Sequence, residues 1–306
     1  MQLLQGFLKF ELYNEKGMKM RKVYLPVLTA LILTSCGGNR YDFVDVASSE
    51  RTVKALSEGF REVPDSLPGG RSAWLLSQGI QVADVLLYAG DVPEEDVVVP
   101  EIPYGYDASF ISSDELLNSL SARGTRLYTD NGRNARVLML LDETLSLEVL
   151  NKIASLADSG AIIGGVKPTA CVNREDSLVF RRTVERVWTG GNVMSGKTIL
   201  SLLKAANVLK DEKTRTDGLV FSHRHLPDAE IYSISNPTDR SGRIRVKFRV
   251  RGRRPMLWNP DTGDISPVSY NIKKKGTRVK FQIVPQDEVF IVFGSYADHK
   301  KMKIKK

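Results

Sequence analysis

The chain has 306 residues, of which 42% are hydrophobic and 26% charged, and its formal net charge is +8. This composition predicts a folded chain of about two domains and argues against intrinsic disorder. Two cysteines are too few for a disulfide framework or a cysteine-rich metal site. The positive charge does not predict nucleic-acid binding, because the basic residues of 243–254 alternate with apolar ones and carry no known motif.

The first predicted element is an export signal that ends at Cys36. Arg21 and Lys22 precede an apolar run, residues 23–33, which is far shorter than the roughly 20 residues needed to span a bilayer. The sequence Leu-Thr-Ser-Cys that follows resembles the bacterial lipobox, in which the cysteine receives a diacylglycerol. We therefore expect a lipid anchor on Cys36, which leaves Cys171 unpaired.

The residues around the signal add two expectations. Glu11 and Glu15 do not fit a signal peptide, so the true start is predicted at Met18 or Met20. Gly37 is not the aspartate associated with inner-membrane retention. By resemblance to lipoprotein sorting signals, we expect an outer-membrane lipoprotein that faces the periplasm.

Strands alternate with helices between residues 72 and 212. Strands are predicted at 82–88, 136–141 and 161–165, helices at 113–120, 144–157 and 177–188, and a hairpin around Asn131-Gly132. Lys197–Ser201 is predicted as the last strand, followed by a short helix to Leu209. This order predicts an α/β domain with an open parallel sheet in a flavodoxin-like arrangement.

Residues Gly191–Thr198 match the phosphate-binding P-loop pattern letter for letter. That motif needs a strand before it and a long helix after it, whereas the residues before Gly191 are predicted to be helical. An accidental match is therefore favoured, and an exported phosphate-binding protein remains a minor alternative.

The pattern changes after Gly218. Short strands are predicted at 220–225, 231–235, 244–250, 255–258, 279–284 and 289–293, with turn residues between them. Ile244, Val246 and Phe248 alternate with basic residues, which is typical of a strand with one buried and one wet face. The second half therefore predicts an all-β domain, an antiparallel β-sandwich.

Candidate ligand contacts lie in this second half. His223 and His225 would share one face of a strand, with Arg224 between them, and Trp258 could stack on a sugar ring. For Trp258 a core position is the favoured alternative. No metal, no cofactor and no catalytic residue is predicted, because no carboxylate pair or ligand spacing stands out.

Several stretches together resemble the C-terminal, non-barrel region of the family 106 α-L-rhamnosidases. They include Gln78–Tyr88, Ser159–Pro168, Ala229–Asn236 and Pro255–Asp264, and the similarity covers roughly residues 70–294. In that family the region follows a (β/α)8 barrel that carries the catalytic carboxylates and a calcium site. The stretch between Cys36 and Ser72 has no room for such a barrel, so no family catalytic residue has a position here.

The resemblance implies accessory domains that are inactive alone, so enzyme activity is left uncertain. The alternative is a stand-alone periplasmic lipoprotein that binds a plant-type polysaccharide or a partner glycosidase, without nucleic acid. The predicted organisation is a signal peptide at 1–35, linker or remnant helices at 36–71, the α/β domain at 72–212, the β-sandwich at 218–296 and a basic tail at 297–306.

Overall fold

The computed structural model describes residues 46–64, 66–67, 69–90 and 97–295; the predicted signal, Cys36 and the basic tail lie outside them. The helices are α1 (Val46–Glu62), α2 (Gly70–Ser77), α3 (Leu147–Asp158), α4 (Ser177–Trp188) and α5 (Ile199–Ala205). A π-helical turn spans Glu115–Ser119, and a 3-10 turn spans Arg174–Asp176. No helix in the described part of the chain is long and apolar enough to cross a membrane.

The strands up to residue 213 are β1 (Ile80–Gln81), β2 (Val85–Tyr88), β3 (Ala108–Phe110), β4 (Ser121–Arg123), β5 (Arg126–Tyr128), β6 (Asn134–Ala135), β7 (Val137–Leu140), β8 (Thr144–Leu145), β9 (Ile162–Gly165), β10 (Ala170–Cys171), β11 (Val193–Ser195) and β12 (Glu212–Lys213). The later strands are β13 (Val220–Leu226), β14 (Ala229–Asn236), β15 (Gly242–Phe248), β16 (Arg254–Trp258), β17 (Ile265–Pro267), β18 (Ser269–Lys273), β19 (Gly276–Ile283) and β20 (Asp287–Gly294).

A parallel sheet of five strands has the order β11–β9–β7–β2–β3. Its central strands β2 and β7 are continuous buried apolar runs because helices cover both faces. Leu150 and Ile153 of α3 and Val184 of α4 pack on one face, and Leu202 of α5 packs on the other. The predicted parallel sheet is therefore present.

Helix α3 begins where its sequence predicts. The side chain of Ser146 accepts a hydrogen bond from the backbone N–H of Val149 at 3.1 Å, which satisfies one of the free donors of the first turn. The predicted hairpin is also present, because Leu127 of β5 pairs with Ala135 of β6 across the Asn131-Gly132 turn.

The predicted last strand at Lys197–Ser201 is wrong. The strand is β11, where Val193 pairs with Ile163, and Thr198 instead caps the first turn of α5. The Thr198 side chain accepts a hydrogen bond from the backbone N–H of Ser201 at 3.3 Å. Thr-Ile at 198–199 has high strand propensity, but this cap and the burial of the α5 side chains outweigh it.

Two antiparallel sheets form the second part of the fold. One has the order β1–β13–β14–β20–β16–β17, and the other has the order β12–β15–β19–β18. Side chains of both sheets contribute to one core cluster, with Ile291 from the first and Val246 and Phe281 from the second. The alternation in β15 is confirmed, since Ile244, Val246 and Phe248 are buried. The fold is thus mixed α/β, with parallel and antiparallel sheets.

Helices α1 and α2 cover the other face of the six-stranded sheet. Phe60 of α1 and Leu75 of α2 pack against Phe290 and Val292 of β20. Strand β20 is therefore a continuous apolar run from Val289 to Phe293, because both of its faces are buried there. Strand β1 also joins this sheet, since Ile80 pairs with His225, so the segment that ends at residue 81 packs with the antiparallel part and not with the parallel sheet.

Candidate functional site

Charged and polar side chains meet where the amino ends of the parallel strands face the antiparallel sheets. Asp84 directly precedes β2, and Asp107 directly precedes β3. We call the whole group the seam cluster, which comprises Asp84, Asp107, Asp211, Glu212, His223, Glu230, Tyr232, Arg249 and Arg253.

Asp211 is the centre of the seam cluster and is fully buried. One of its oxygens accepts a hydrogen bond from His223 Nδ1 at 2.8 Å, and the other accepts from Arg249 Nε at 3.0 Å and from Tyr232 Oη at 3.1 Å. Burial raises the pKa of Asp211, but His223 and Arg249 outweigh it and lower the pKa to about 2. The side chain is therefore held as a carboxylate.

His223 lies between two carboxylates. Its Nδ1 donates to Asp211 and its Nε2 donates to Glu230 at 3.1 Å, so both ring nitrogens carry protons. Burial lowers the pKa of His223, but the two carboxylates outweigh this effect and raise it to about 10. The ring also stacks on Tyr232, with centroids 3.8 Å apart. His223 is thus a buried imidazolium that joins β13 to β14 and to Asp211, the residue directly before β12.

Glu230 and Arg249 extend the cluster in two directions. Glu230 accepts hydrogen bonds from His225 Nδ1 at 2.9 Å and from Arg253 Nη1 at 2.7 Å. Arg249 donates from Nη1 to Asp84 Oδ1 at 2.8 Å and to the carbonyl of Leu209 at 2.9 Å. The guanidinium therefore links the parallel sheet to the antiparallel sheets.

Glu212 and Asp107 differ from these paired carboxylates. Neither side chain has a hydrogen-bond partner among the residues that the structure describes. Burial and the neighbouring carboxylate of Asp211 raise the pKa of Glu212 to about 8 and that of Asp107 to about 6. Both line an open cavity of about 470 Å³. At neutral pH this part of the cluster therefore presents one protonated carboxyl and one carboxylate to solvent.

Asp107, Asp211 and Glu212 each place a carboxylate oxygen within 4.8 Å of the other two, a spacing that a metal ion could bridge. The charges around Asp211 oppose this. His223 and Arg249 already contact both of its oxygens, so a cation bound there would face two positive charges. The donor set is therefore a poor one for a metal ion.

The structure brings two of the predicted contact residues together. His223 and His225 contact the same carboxylate, that of Glu230. Arg224 points elsewhere and donates to the carbonyls of Gln78 at 2.9 Å and Gly79 at 2.8 Å, so it holds the chain between α2 and β1. These three side chains have clear structural partners, and their role as ligand contacts remains a prediction.

The prediction that Trp258 contacts a sugar is wrong. Its side chain is fully buried between the six-stranded sheet and α1, with its ring centroid 4.9 Å from that of Phe60. No ligand can reach it. The structure shows the alternative interpretation, in which Trp258 is a core residue at the end of a strand.

The segment Gly191–Thr198 does not form a P-loop. Val193–Ser195, which should lie in the phosphate-binding loop, belongs to strand β11 and pairs with β9. Backbone amides that pair within a sheet cannot cradle a phosphate. The match to the motif is accidental.

The rest of the seam cluster was missed at the sequence level. Asp84, Asp211 and Arg249 come from distant segments, and each looks like an ordinary surface charge in its local context. The one available signal was Asp84, a carboxylate immediately before an apolar run. Such a residue is expected to need a partner when its strand is buried.

Comparison with known proteins shows which family the chain belongs to. The family profile described as alpha-L-rhamnosidase, glycoside hydrolase family 106, matches residues 69–272. The chain belongs to glycoside hydrolase family 106. This family 106 chain is 32% identical over 246 residues to a putative beta-glucuronidase from Formosa agariphila, which corresponds to 76% of the chain and 21% of that protein.

A solved structure of a rhamnosidase is also similar to the chain. The rhamnosidase from Novosphingobium sp. PP1Y has a TM-score of 0.66 and 28% identity over 77% of the family 106 chain and 25% of the solved chain. The resemblance predicted from the sequence is confirmed. The chain spans about a fifth to a quarter of the length of these relatives.

Proposed function

We propose that residues 72–296 form the accessory, non-hydrolytic part of a family 106 α-L-rhamnosidase. In this proposal the flavodoxin-like domain predicted at 72–212 begins only after β1, because α2 and β1 pack with the antiparallel part, and a β-sandwich at 218–296 follows it. The strand order β11–β9–β7–β2–β3 supports the first, because the second strand of the sheet lies outside the first, as in flavodoxin. The core shared by the two antiparallel sheets supports the second.

The sheet topology carries the proposal that this region does not hydrolyse glycosides. By the resemblance drawn from the sequence, the catalytic carboxylates of the family stand on a (β/α)8 barrel. The parallel strands of the described residues form an open sheet of five strands, and no eight-stranded barrel is present among those residues. Residues 72–296 therefore lack the element that carries the catalytic carboxylates in the family.

The purified chain is expected to release no p-nitrophenol from p-nitrophenyl α-L-rhamnoside above a buffer blank. The Novosphingobium rhamnosidase, assayed in parallel, is the positive control. Release that scales with chain concentration and disappears in Glu212→Gln would contradict the proposal, since it would assign hydrolysis to this region.

We further propose that the chain is an exported lipoprotein, anchored through Cys36 in the outer membrane and facing the periplasm. The apolar run before Cys36 and the Leu-Thr-Ser-Cys sequence support this placement.

Cys36→Ser is expected to abolish incorporation of an alkyne fatty acid in a Gram-negative host and to move the chain from the membrane to the soluble fraction. Cys171→Ser is the matched control and should label like the unchanged chain, because Cys171 is partly buried and lies beyond the signal. Labelling of the Cys36 variant at the control level would rule out this anchor.

The second candidate is a stand-alone periplasmic lipoprotein that binds carbohydrate or a partner glycosidase. The open cavity beside Glu212 favours it, because the cavity presents polar groups without partners to solvent.

A further inference from the structure

The cavity lies between the segment 99–110 and strands β12 and β13. Its volume of about 470 Å³ lies within the range of roughly 300–1,000 Å³ that is typical of small-molecule sites. Apolar side chains make up much of the wall, including Ile102, Phe110 and Val220. Its acidic side chains are Asp107 and Glu212, whose carboxylate oxygens lie within 4.8 Å of each other. This division into an apolar wall and a small polar set is the usual composition of a ligand pocket.

Glu212 is the feature that indicates a ligand. The residue is only 5% exposed and lines the cavity, and its carboxyl has no hydrogen-bond partner among the described residues. Buried carboxyls in folded proteins almost always have such a partner. Because the pKa of Glu212 is raised to about 8, its carboxyl can donate as well as accept at neutral pH. Asp107 beside it can accept. A hydroxyl-bearing ligand matches this pair, since each hydroxyl both donates and accepts.

Two tyrosines line the cavity. Tyr104 is 45% exposed, and its hydroxyl accepts a hydrogen bond from the backbone N–H of Thr214 at 3.0 Å, which holds the ring in place. The Tyr106 hydroxyl donates to the carbonyl of Val208 at 3.2 Å. Lys210 Nζ lies over the Tyr104 ring, 4.8 Å from its centroid, and covers one face of it, so only the opposite face is left for a ligand. A fixed aromatic ring beside hydrogen-bonding carboxyls suits a pyranose, which has an apolar C–H face and a rim of hydroxyls.

The charge of the site selects among such ligands. Asp84, Asp107 and Asp211 all oppose ionisation of Glu212, and His223 favours it. An anionic sugar would add a further negative charge to this group of carboxyls. A metal cation is disfavoured for the opposite reason, because Asp211 is already bound by His223 and Arg249.

We propose that this cavity binds a neutral saccharide of one or two rings, with its hydroxyls on Glu212 and Asp107 and its C–H face on Tyr104. This proposal rests on the second candidate function and names the class of ligand for it. The family assignment is used only to choose the sugars to test.

Saturation-transfer NMR and calorimetry on the full purified chain test it, with L-rhamnose, methyl α-L-rhamnoside, a rhamnosyl disaccharide and D-galacturonate as probes. At least one neutral sugar is expected to bind more tightly than D-galacturonate. Glu212→Leu should weaken this binding at least about tenfold, the typical loss when a buried hydrogen bond is removed. Leu178→Ala, on the exposed face of α4 and away from the cavity, is the control that should bind normally.

Glu212→Gln separates a ligand contact from a structural role. Glutamine resembles the protonated glutamic acid, so this variant should bind at pH 7 within a few-fold of the unchanged chain. The unchanged chain should bind more weakly as the pH rises from 7 to 9 and Glu212 ionises, whereas Glu212→Gln should not. Thermal unfolding followed by circular dichroism checks that each variant is folded.

Three results would overturn the proposal. The first is no binding of any of the neutral sugars, and the second is equal binding by folded Glu212→Leu. The third is tyrosine-sensitised Tb³⁺ luminescence that requires Glu212, in the absence of sugar binding, which would assign the carboxyls to a cation. None of these results bears on the rhamnoside assay, so failure of the saccharide site and failure of the non-hydrolytic assignment are distinguishable.

Discussion

Asp211→Asn is expected to lower the free energy of unfolding by about 3–5 kcal/mol, the usual cost of removing one partner from a buried ion pair. The substitution keeps the shape of the side chain but removes the charge that faces His223 and Arg249. His223 would then keep only Glu230, and Arg249 only Asp84, as a carboxylate partner. Urea denaturation followed by circular dichroism measures the change.

Asp158→Asn is the matched control for this prediction. Asp158 forms an ion pair with Arg186 at 3.5 Å, but both side chains are more than half exposed. Exposed pairs of this kind contribute about 0–1 kcal/mol, because solvent screens the charges. A loss for Asp211→Asn no larger than that of the control would show that the seam cluster does not hold the two parts of the fold together.

Trp258→Ala is expected to lower the free energy of unfolding by about 3–5 kcal/mol, since a fully buried large aromatic side chain is removed and a cavity is left. Trp258 joins α1 and the six-stranded sheet through its contact with Phe60. Its indole N–H has no hydrogen-bond partner among the described residues, so Trp258→Phe loses no hydrogen bond and should cost less. The same denaturation experiment measures both variants.

Leu178→Ala is again the control, because the Leu178 side chain is exposed on α4. This substitution should change the free energy of unfolding by no more than about 0.5 kcal/mol.

Folded Trp258→Phe should bind saccharide like the unchanged chain, since Trp258 does not line the cavity. A folded Trp258→Phe that loses sugar binding would contradict the assignment of Trp258 as a core residue without a ligand contact.

The residues of the seam cluster come from distant segments, which makes the site difficult to find in the sequence. His223 and His225 stand out because histidine is rare in the chain and the two share a strand face. The importance of Glu212 depends on its distance from Asp107 and Asp211 and on its burial beside the cavity. The segments that carry residues 107 and 212 are brought together in the folded chain, where the backbone N–H of Asp211 donates to the carbonyl of Gly105 at 2.7 Å.

The sequence by itself determined the family, the order of strands and helices, the cap of α3 at Ser146 and the alternation of β15. These depend on local periodicity and capping, which adjacent residues encode. Only the tertiary structure decided that residues 193–195 and not 197–201 form the last parallel strand, that Trp258 is core, and that Glu212 opens on a cavity. Each of these depends on the surroundings that distant segments supply, because burial and charge pairing are properties of the packed chain.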